Sequence, residues 1–394
     1  ASILRRLSPA LERGKAKVKN AVVLARCDAI TALGATGKET YGALLSGLSA
    51  LTEVTRFPVG QYRARTAASI EGLSPNGHPL VYDLLDPLLK SVPPPPPDTL
   101  LTTCTTKAGI DSLERYKRGT VPDGLGTLPG DLCKRVSRTL GIPRPSVNVS
   151  AACASATVAI AQGASLIAAG MEKSVLVICA DVITEFVFSG FSALQVLSPD
   201  RARPFDRSRA GLSLGEGAAF IHLVSGALAE KHFIRPVAEI AGWGVANDAF
   251  HVTAPARDGR GLCNAMHSAL KRASLEKQEI AGISAHGTGT IRNDAMEIKA
   301  FHRFFSGRVP PAYSVKGAIG HTFGAAGGIE AVIATEVLRR RLLPPTVGLE
   351  EPEAAARDFV TREPTPISGD HLMVTNSGFG GISAVLILKR SSDP

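Results

Sequence analysis

The stretch Ser150-Ala151-Ala152-Cys153-Ala154-Ser155-Ala156-Thr157 follows a β-favouring run at 145–149 and opens a segment of small and apolar residues extending to about Gly170. The pattern predicts a strand, a tight turn carrying a cysteine, and a buried helix. At the start of that helix, unpaired N–H groups and the positive end of the macrodipole favour a thiolate at Cys153. Cysteine is also among the most buried residue types, so the element taken alone reads first as packing. The rest of the chain decides between the two.

Outward from this element, the pattern predicts strands at 21–25, 100–103, 174–180 and 218–224. It predicts helices at 39–51, 110–117 and 130–140, with Thr36 as an N-cap of the first. The second half repeats the order: strands at 237–243, 282–285, 312–315, 371–375 and 384–389, and helices at 262–273, 294–304 and 326–341. The region 56–97 is less regular and ends in the unbroken run Pro93 to Pro97, a stiff surface connector. Alternation of strands and helices implies mostly parallel sheets with helices on both faces. Two such series imply duplication, with a half at 21–233, a half at 234–394 and a basic arm at 1–20. That arm carries Arg5, Arg6, Arg13, Lys15, Lys17 and Lys19.

A chain of 394 residues with 44% hydrophobic residues and 39 glycines is long enough for two packed halves of an α/β enzyme. The six cysteines show no Cys-x-x-Cys pair and no zinc-like spacing, which points to reduced thiols in the cytoplasm and to no metal. The formal charge of +9 suits an acidic partner, but basic residues are dispersed and no nucleic-acid-binding signature accompanies them. No apolar run is long enough to span a bilayer.

Three polar motifs stand where strands end, the place where ligands bind in open α/β sheets. The first is Cys153; the second is His286-Gly287-Thr288-Gly289-Thr290, followed by Asn293, Asp294 and Glu297. The third is Lys316-Gly317-Ala318-Ile319-Gly320-His321, leading into Gly324-Ala325-Ala326-Gly327. Under a duplication, the cysteine turn and the Lys316 to His321 turn occupy equivalent strand-to-helix connections and face each other across a pseudo-dyad. Two histidines and a cysteine, each in a small-residue turn after a strand, are hard to explain as packing.

In these motifs the chain resembles the beta-ketoacyl synthases acting on acyl carrier protein, condensing enzymes of the thiolase superfamily. The resemblance extends to Arg203-Pro204-Phe205-Asp206, Arg209, Gly211, Gly215-Glu216-Gly217-Ala218 and the loop Asn376-Ser377-Gly378-Phe379-Gly380-Gly381. It implies a thiolase-like α/β fold: two duplicated halves with central mostly parallel mixed sheets in an α-β-α-β-α layering. It also implies that Cys153 accepts an acyl group, that His286 and His321 act on a malonyl thioester during decarboxylative condensation, and that Lys316 supports the pair. Backbone N–H groups of Cys153 and Phe379 are the candidate oxyanion hole. By the same resemblance, Asp294 and Glu297 are supporting residues; read structurally, Lys316 is also a candidate for a buried ion pair with Glu297. Thr288, Thr290, Gly378 and Gly380 are substrate-binding, and Phe379 gates the acyl pocket.

The resemblance further implies no tightly bound cofactor. Substrates arrive on the phosphopantetheine of acyl carrier protein; carrier proteins are acidic, so the +9 charge offers them Arg63, Arg65 and Arg203 as candidate contact residues. The chain is expected to form a homodimer or a ketosynthase heterodimer through the strand at 145–149. Ser377, Ala210 and the segment 102–109 depart from the pattern of many relatives, which leaves fatty-acid and polyketide pathways both open. A thiolase is disfavoured because no cysteine follows Cys263. An accessory, chain-length-factor-like partner is the alternative function, against which stand the retained Cys153, His286 and His321.

Overall fold

A computed structural model describes residues 21–391 except 75, 76, 122, 123 and 125; the basic arm at 1–20 lies outside the described residues. Ten strands make one continuous sheet: β1 Val22–Thr31, β2 Leu100–Cys104, β3 Val147–Asn148, β4 Ser174–Asp181, β5 Gly217–Ser225, β6 Ala238–Asn247, β7 Ile280–Ser284, β8 Ala312–Tyr313, β9 His371–Gly378 and β10 Ile382–Arg390. Their order is β8-β7-β9-β10-β6-β1-β5-β4-β2-β3. Reading each half from its outer edge inward gives 3-2-4-5-1 and 8-7-9-10-6, the same winding five strands later. The duplication is therefore visible in the connectivity, and the halves join through Val23–Glu239 and Leu24–Ala238 of β1 and β6.

The sheet is mixed, but parallel pairing does not dominate as strand–helix alternation suggests. In each half the two outer junctions, β3–β2–β4 and β8–β7–β9, are parallel. The inner ones, β4–β5–β1 and β9–β10–β6, are antiparallel. The reason is plain at β9–β10, where a tight glycine turn reverses the chain without a crossover helix.

Two helices, α1 Ser155–Ala168 and α2 Ala326–Arg340, follow β3 and β8 and form the inner layer. Both are apolar around much of their circumference, and 10 and 12 of their residues are buried, the pattern of a helix covered on all sides. They pack on one another and on strands of both halves, so one core spans the dyad. Small residues set that approach: a Cβ at Gly327 would lie 1.9 Å from Thr157 Oγ1, and one at Gly328 would lie 2.4 Å from Cys179 Sγ. β4 and β5 are buried along their full lengths, as continuous apolar runs predict.

Two departures from the sequence expectation are instructive. The helix after Thr36 stops at Leu45, where Ser46 caps it and Gly47 turns left-handed at φ +69°. The region at 56–97 contains the helix Leu80–Ser91, disguised by Pro79, Pro87 and the proline run but burying Leu80, Val81, Leu84, Leu85, Leu88 and Leu89 on one face. No helix among the described residues is long and apolar enough to cross a membrane.

Candidate active site

The turn between β3 and α1 holds Cys153 against the end of β9. Ala152 takes a left-handed backbone (φ +49°), and Ser155 braces the turn from below: its hydroxyl donates to Ala152 O at 2.6 Å and accepts from Ala151 N at 2.8 Å. Opposite it, a Cβ at Gly378 would lie 2.9 Å from Ala151 O, so only glycine lets β9 come this close. Burial pushes the Cys153 thiol up to about 11, against the opposing pull of Lys107, Lys316 and the backbone N–H of Phe379. The resting group is thus a neutral thiol, contrary to the thiolate expected from a helix N-terminus alone.

His286 follows β7 and His321 follows β8, and both are buried. Their rings stand 5.4 Å apart at 88°. Phe323 N donates to His321 Nδ1 at 3.1 Å, and the Asn376 amide faces His286 Nδ1 at 3.4 Å. A backbone N–H and an amide NH2 are donors only, so both Nδ1 atoms are acceptors and the neutral rings carry their protons on Nε2. Burial holds both imidazoles well below their usual range, with the Lys316 charge adding to the effect. The structure therefore presents two neutral rings, each with one N–H left to donate.

Lys316 is 1% exposed, and its ammonium is satisfied by Glu330 of α2 and by His286 O at 2.6 Å. Glu330 in turn accepts from Asn376 Nδ2 at 2.6 Å. Burial pushes the Glu330 carboxyl up and Lys316 pulls it down. Asn376 completes the chain by accepting from Thr157 of α1. One buried network therefore ties the lysine, both central helices and the Nδ1 side of His286 together.

The expected Lys316–Glu297 ion pair is not formed. Glu297 is committed to the turn itself: it accepts His286 N at 2.9 Å, Gly287 N at 2.7 Å and Asn293 Nδ2 at 2.8 Å. Burial, with Asp294 beside it, pushes Glu297 up to about 8. Asp294 accepts Phe205 N at 2.8 Å, Thr288 N at 3.0 Å and Gly289 N at 3.1 Å. The two acids thus hold the histidine loop by its backbone amides. Thr288 and Thr290 share a 2.9 Å hydroxyl contact at its open side.

A cavity of about 360 Å³ brings together Cys153, His286, His321, Thr288, Thr290, Gly378 and Phe379. Gly380 does not line it; this residue is exposed, with its N–H on Val252 O at 2.7 Å, and Gly381 takes the lining position. Arg63 and Arg65 are exposed, whereas Arg203 is engaged with Glu350 at 2.7 Å and Asp200 at 3.6 Å. Its backbone N would lie 3.0 Å from a Cβ at Gly289, directly behind the histidine loop. Sequence reasoning quoted Asn376 without assigning it, and missed Glu330, a buried acid in an apolar helix, Asp181 and Lys107. Among the described residues no group of three or more His, Cys, Asp or Glu is arranged to hold a metal ion.

Residues 100–228 match the family described as beta-ketoacyl synthase, N-terminal domain, and residues 237–350 match beta-ketoacyl synthase, C-terminal domain. The chain is 28% identical to the 3-oxoacyl-[acyl-carrier-protein] synthase 2 of Coxiella burnetii over 95% of its own length and 100% of the relative's. It is 30% identical to the tetracenomycin polyketide synthase ketoacyl synthase alpha subunit of Streptomyces glaucescens, covering 92% of this chain and 96% of that one. Among solved structures, the ishigamide ketosynthase/chain length factor superposes with a TM-score of 0.85 at 28% identity, over 94% of this chain and 99% of that one.

Proposed function

The chain belongs to the beta-ketoacyl synthases, acyltransferases of the 3-oxoacyl-[acyl-carrier-protein] synthase type that condense acyl units in fatty-acid or polyketide synthesis, and from that premise we propose which of its buried residues carry each step. Cys153 is the nucleophile. Its sulfur attacks the carbonyl of an acyl thioester, the carrier's thiolate leaves, and the thiol proton passes to that leaving sulfur. The N–H groups of Cys153 and Phe379 hold the oxyanion of the tetrahedral intermediate. Because the thiol rests in its neutral form, charge develops at sulfur only when an acyl group is there to receive it.

In the second half-reaction a malonyl thioester occupies the cavity with its carbonyl oxygen between the histidines. The carbon–carboxylate bond breaks, CO2 leaves, and the electron pair collects as an enolate whose oxygen accepts from Nε2–H of His286 and of His321. The enolate carbon attacks the acyl carbonyl on Cys153, the sulfur departs as thiolate and takes a proton from solvent, and a beta-ketoacyl thioester results. The observation that carries this reading is the pair of anchored Nδ1 atoms, which leaves both histidines as donors and neither as a base. Lys316 positions His286 through its carbonyl and, by way of Glu330 and Asn376, through its ring. Thr288 and Thr290 receive the phosphopantetheine arm, and Phe379 controls entry to the acyl side.

An acidic carrier protein is the substrate's bearer, drawn to exposed Arg63 and Arg65 with Arg203 beside the histidine loop. A second subunit, identical or related, pairs along the outer edge of β3, where Val147 is exposed. The assay is intact mass after incubation with acyl-loaded carrier protein. Wild type gains one acyl group and Cys153→Ala gains none; equal labelling of both removes Cys153 as nucleophile. His286→Ala and His321→Ala are expected to retain acylation while malonyl decarboxylation falls about 10²- to 10³-fold, the cost of losing one such donor.

A further inference from the structure

Beyond the residues that handle the thioester, one lysine that is not itself a lining residue of the cavity lies against an aromatic ring that is. Three aromatic rings form a wall there: Phe379 stacks on Phe191 at 6.1 Å, and Phe191 meets Phe323 at 5.6 Å. Phe191 and Phe379 line the cavity with Cys153. Lys107, three residues past β2, lays its ammonium on this wall, 4.9 Å from the Phe323 centroid and 5.8 Å from that of Phe191. Its backbone is fixed, since Thr105 Oγ1 accepts Ala108 N at 2.8 Å and Ala108 is left-handed at φ +45°.

An ammonium has three N–H donors. One of Lys107's goes to Thr106 Oγ1 at 2.9 Å. Among the described residues no carboxylate lies within ion-pair distance of it. The acid that senses it, Asp181, already receives Thr105 Oγ1 at 2.7 Å, Gly324 N at 2.7 Å and Thr106 Oγ1 at 3.0 Å. Aromatic faces offset part of the cost of drying a cation but accept no ordinary hydrogen bond. A hydrocarbon chain laid along the wall strips water from this ammonium and returns nothing. A chain carrying an oxygen at that depth replaces the water with a charge-assisted bond.

We propose that Lys107 makes the acyl site selective for acyl groups carrying an acceptor oxygen, a keto group or a carboxylate, over plain hydrocarbon chains of equal length. This rests on Cys153 being the acyl acceptor. Sites built to bond a substrate oxygen discriminate strongly against analogues lacking it, because the site's own polar group is then left unpaired.

The test measures acyl transfer to the full chain by intact mass, using acyl carrier protein loaded with octanoyl, 3-oxooctanoyl or 7-carboxyheptanoyl groups. Wild type is expected to favour at least one oxygenated chain over octanoyl by tenfold or more in kcat/KM, and the preferred one tells keto from carboxylate. Lys107→Met should cancel or invert the preference while Lys107→Arg keeps it, with thermal melts of each variant confirming the fold. Wild type that takes octanoyl as readily as both oxygenated chains, or a Lys107→Met ratio equal to wild type, overturns the selectivity. Should Lys107→Met not fold, the wild-type and Lys107→Arg ratios decide alone. If none of the three groups reaches Cys153, the nucleophile assignment fails instead, and the selectivity with it.

Discussion

Replacing Glu330 by Gln removes one charge from a pair whose members are each 1% exposed. Lys316 keeps its bond to His286 O but loses its only carboxylate partner among the described residues. Breaking a buried pair from one side costs about 3–5 kcal/mol, because the remaining charge stays desolvated. With an unfolding entropy of about 2.1 cal/mol/K per residue, a chain of 394 residues changes by about 0.8 kcal/mol per degree near its midpoint. The melting temperature should therefore fall by about 4–6 °C in scanning calorimetry. The same carboxylate orients Asn376, so the amide facing His286 Nδ1 loosens, and malonyl decarboxylation should drop about 10- to 100-fold. A double variant, Lys316→Met with Glu330→Leu, buries no charge and should recover the stability while leaving decarboxylation impaired. A Glu330→Gln melt within 1 °C of wild type, or a double variant no more stable than the single, refutes the assignment of this pair as a fully desolvated charge couple.

Two further expectations concern proton occupancy. With the Cys153 thiol pushed up to about 11, its alkylation by iodoacetamide should quicken about tenfold per pH unit from 7 to 10 without levelling, judged against Cys153→Ala; a plateau near pH 7 would show a preformed thiolate. His286 and His321 titrate in the folded chain well below their unfolded value of 6.5, so below that value the unfolded chain binds protons that the folded chain refuses. Their contribution is intact above pH 6.5 and declines as pH falls, by up to about 1.4 kcal/mol per unit for each ring. Denaturant midpoints between pH 7 and 5 should show a shallower slope in a His286→Gln, His321→Gln double variant, and an unchanged slope would mean that the rings are protonated in place.

Much of the site is legible in one dimension because its parts are local. A strand, a small-residue turn and a following helix can be recognised from a few neighbouring residues, and Cys153, His286, Lys316 and His321 each sit in such a unit. The duplication was legible for the same reason, since it repeats the order of elements. The helix Leu80–Ser91 was not, because prolines that tolerate a helix edge look like helix breakers until the buried leucine face is seen.

The sequence by itself determined the alternation of elements, the glycine-permitted turns and the residue types available for chemistry, all properties of short segments and their periodicity. Tertiary structure decided which strands pair antiparallel, which acid answers Lys316, and that Lys107 lies on the aromatic wall by the nucleophile. The choice of Glu330 over Glu297 shows the physical reason. A buried carboxylate has few acceptor sites, and those of Glu297 are occupied by the amides of its own loop, so the lysine pairs with the acid whose oxygens the fold leaves open. That outcome depends on atoms brought together from distant elements, and no local pattern encodes it.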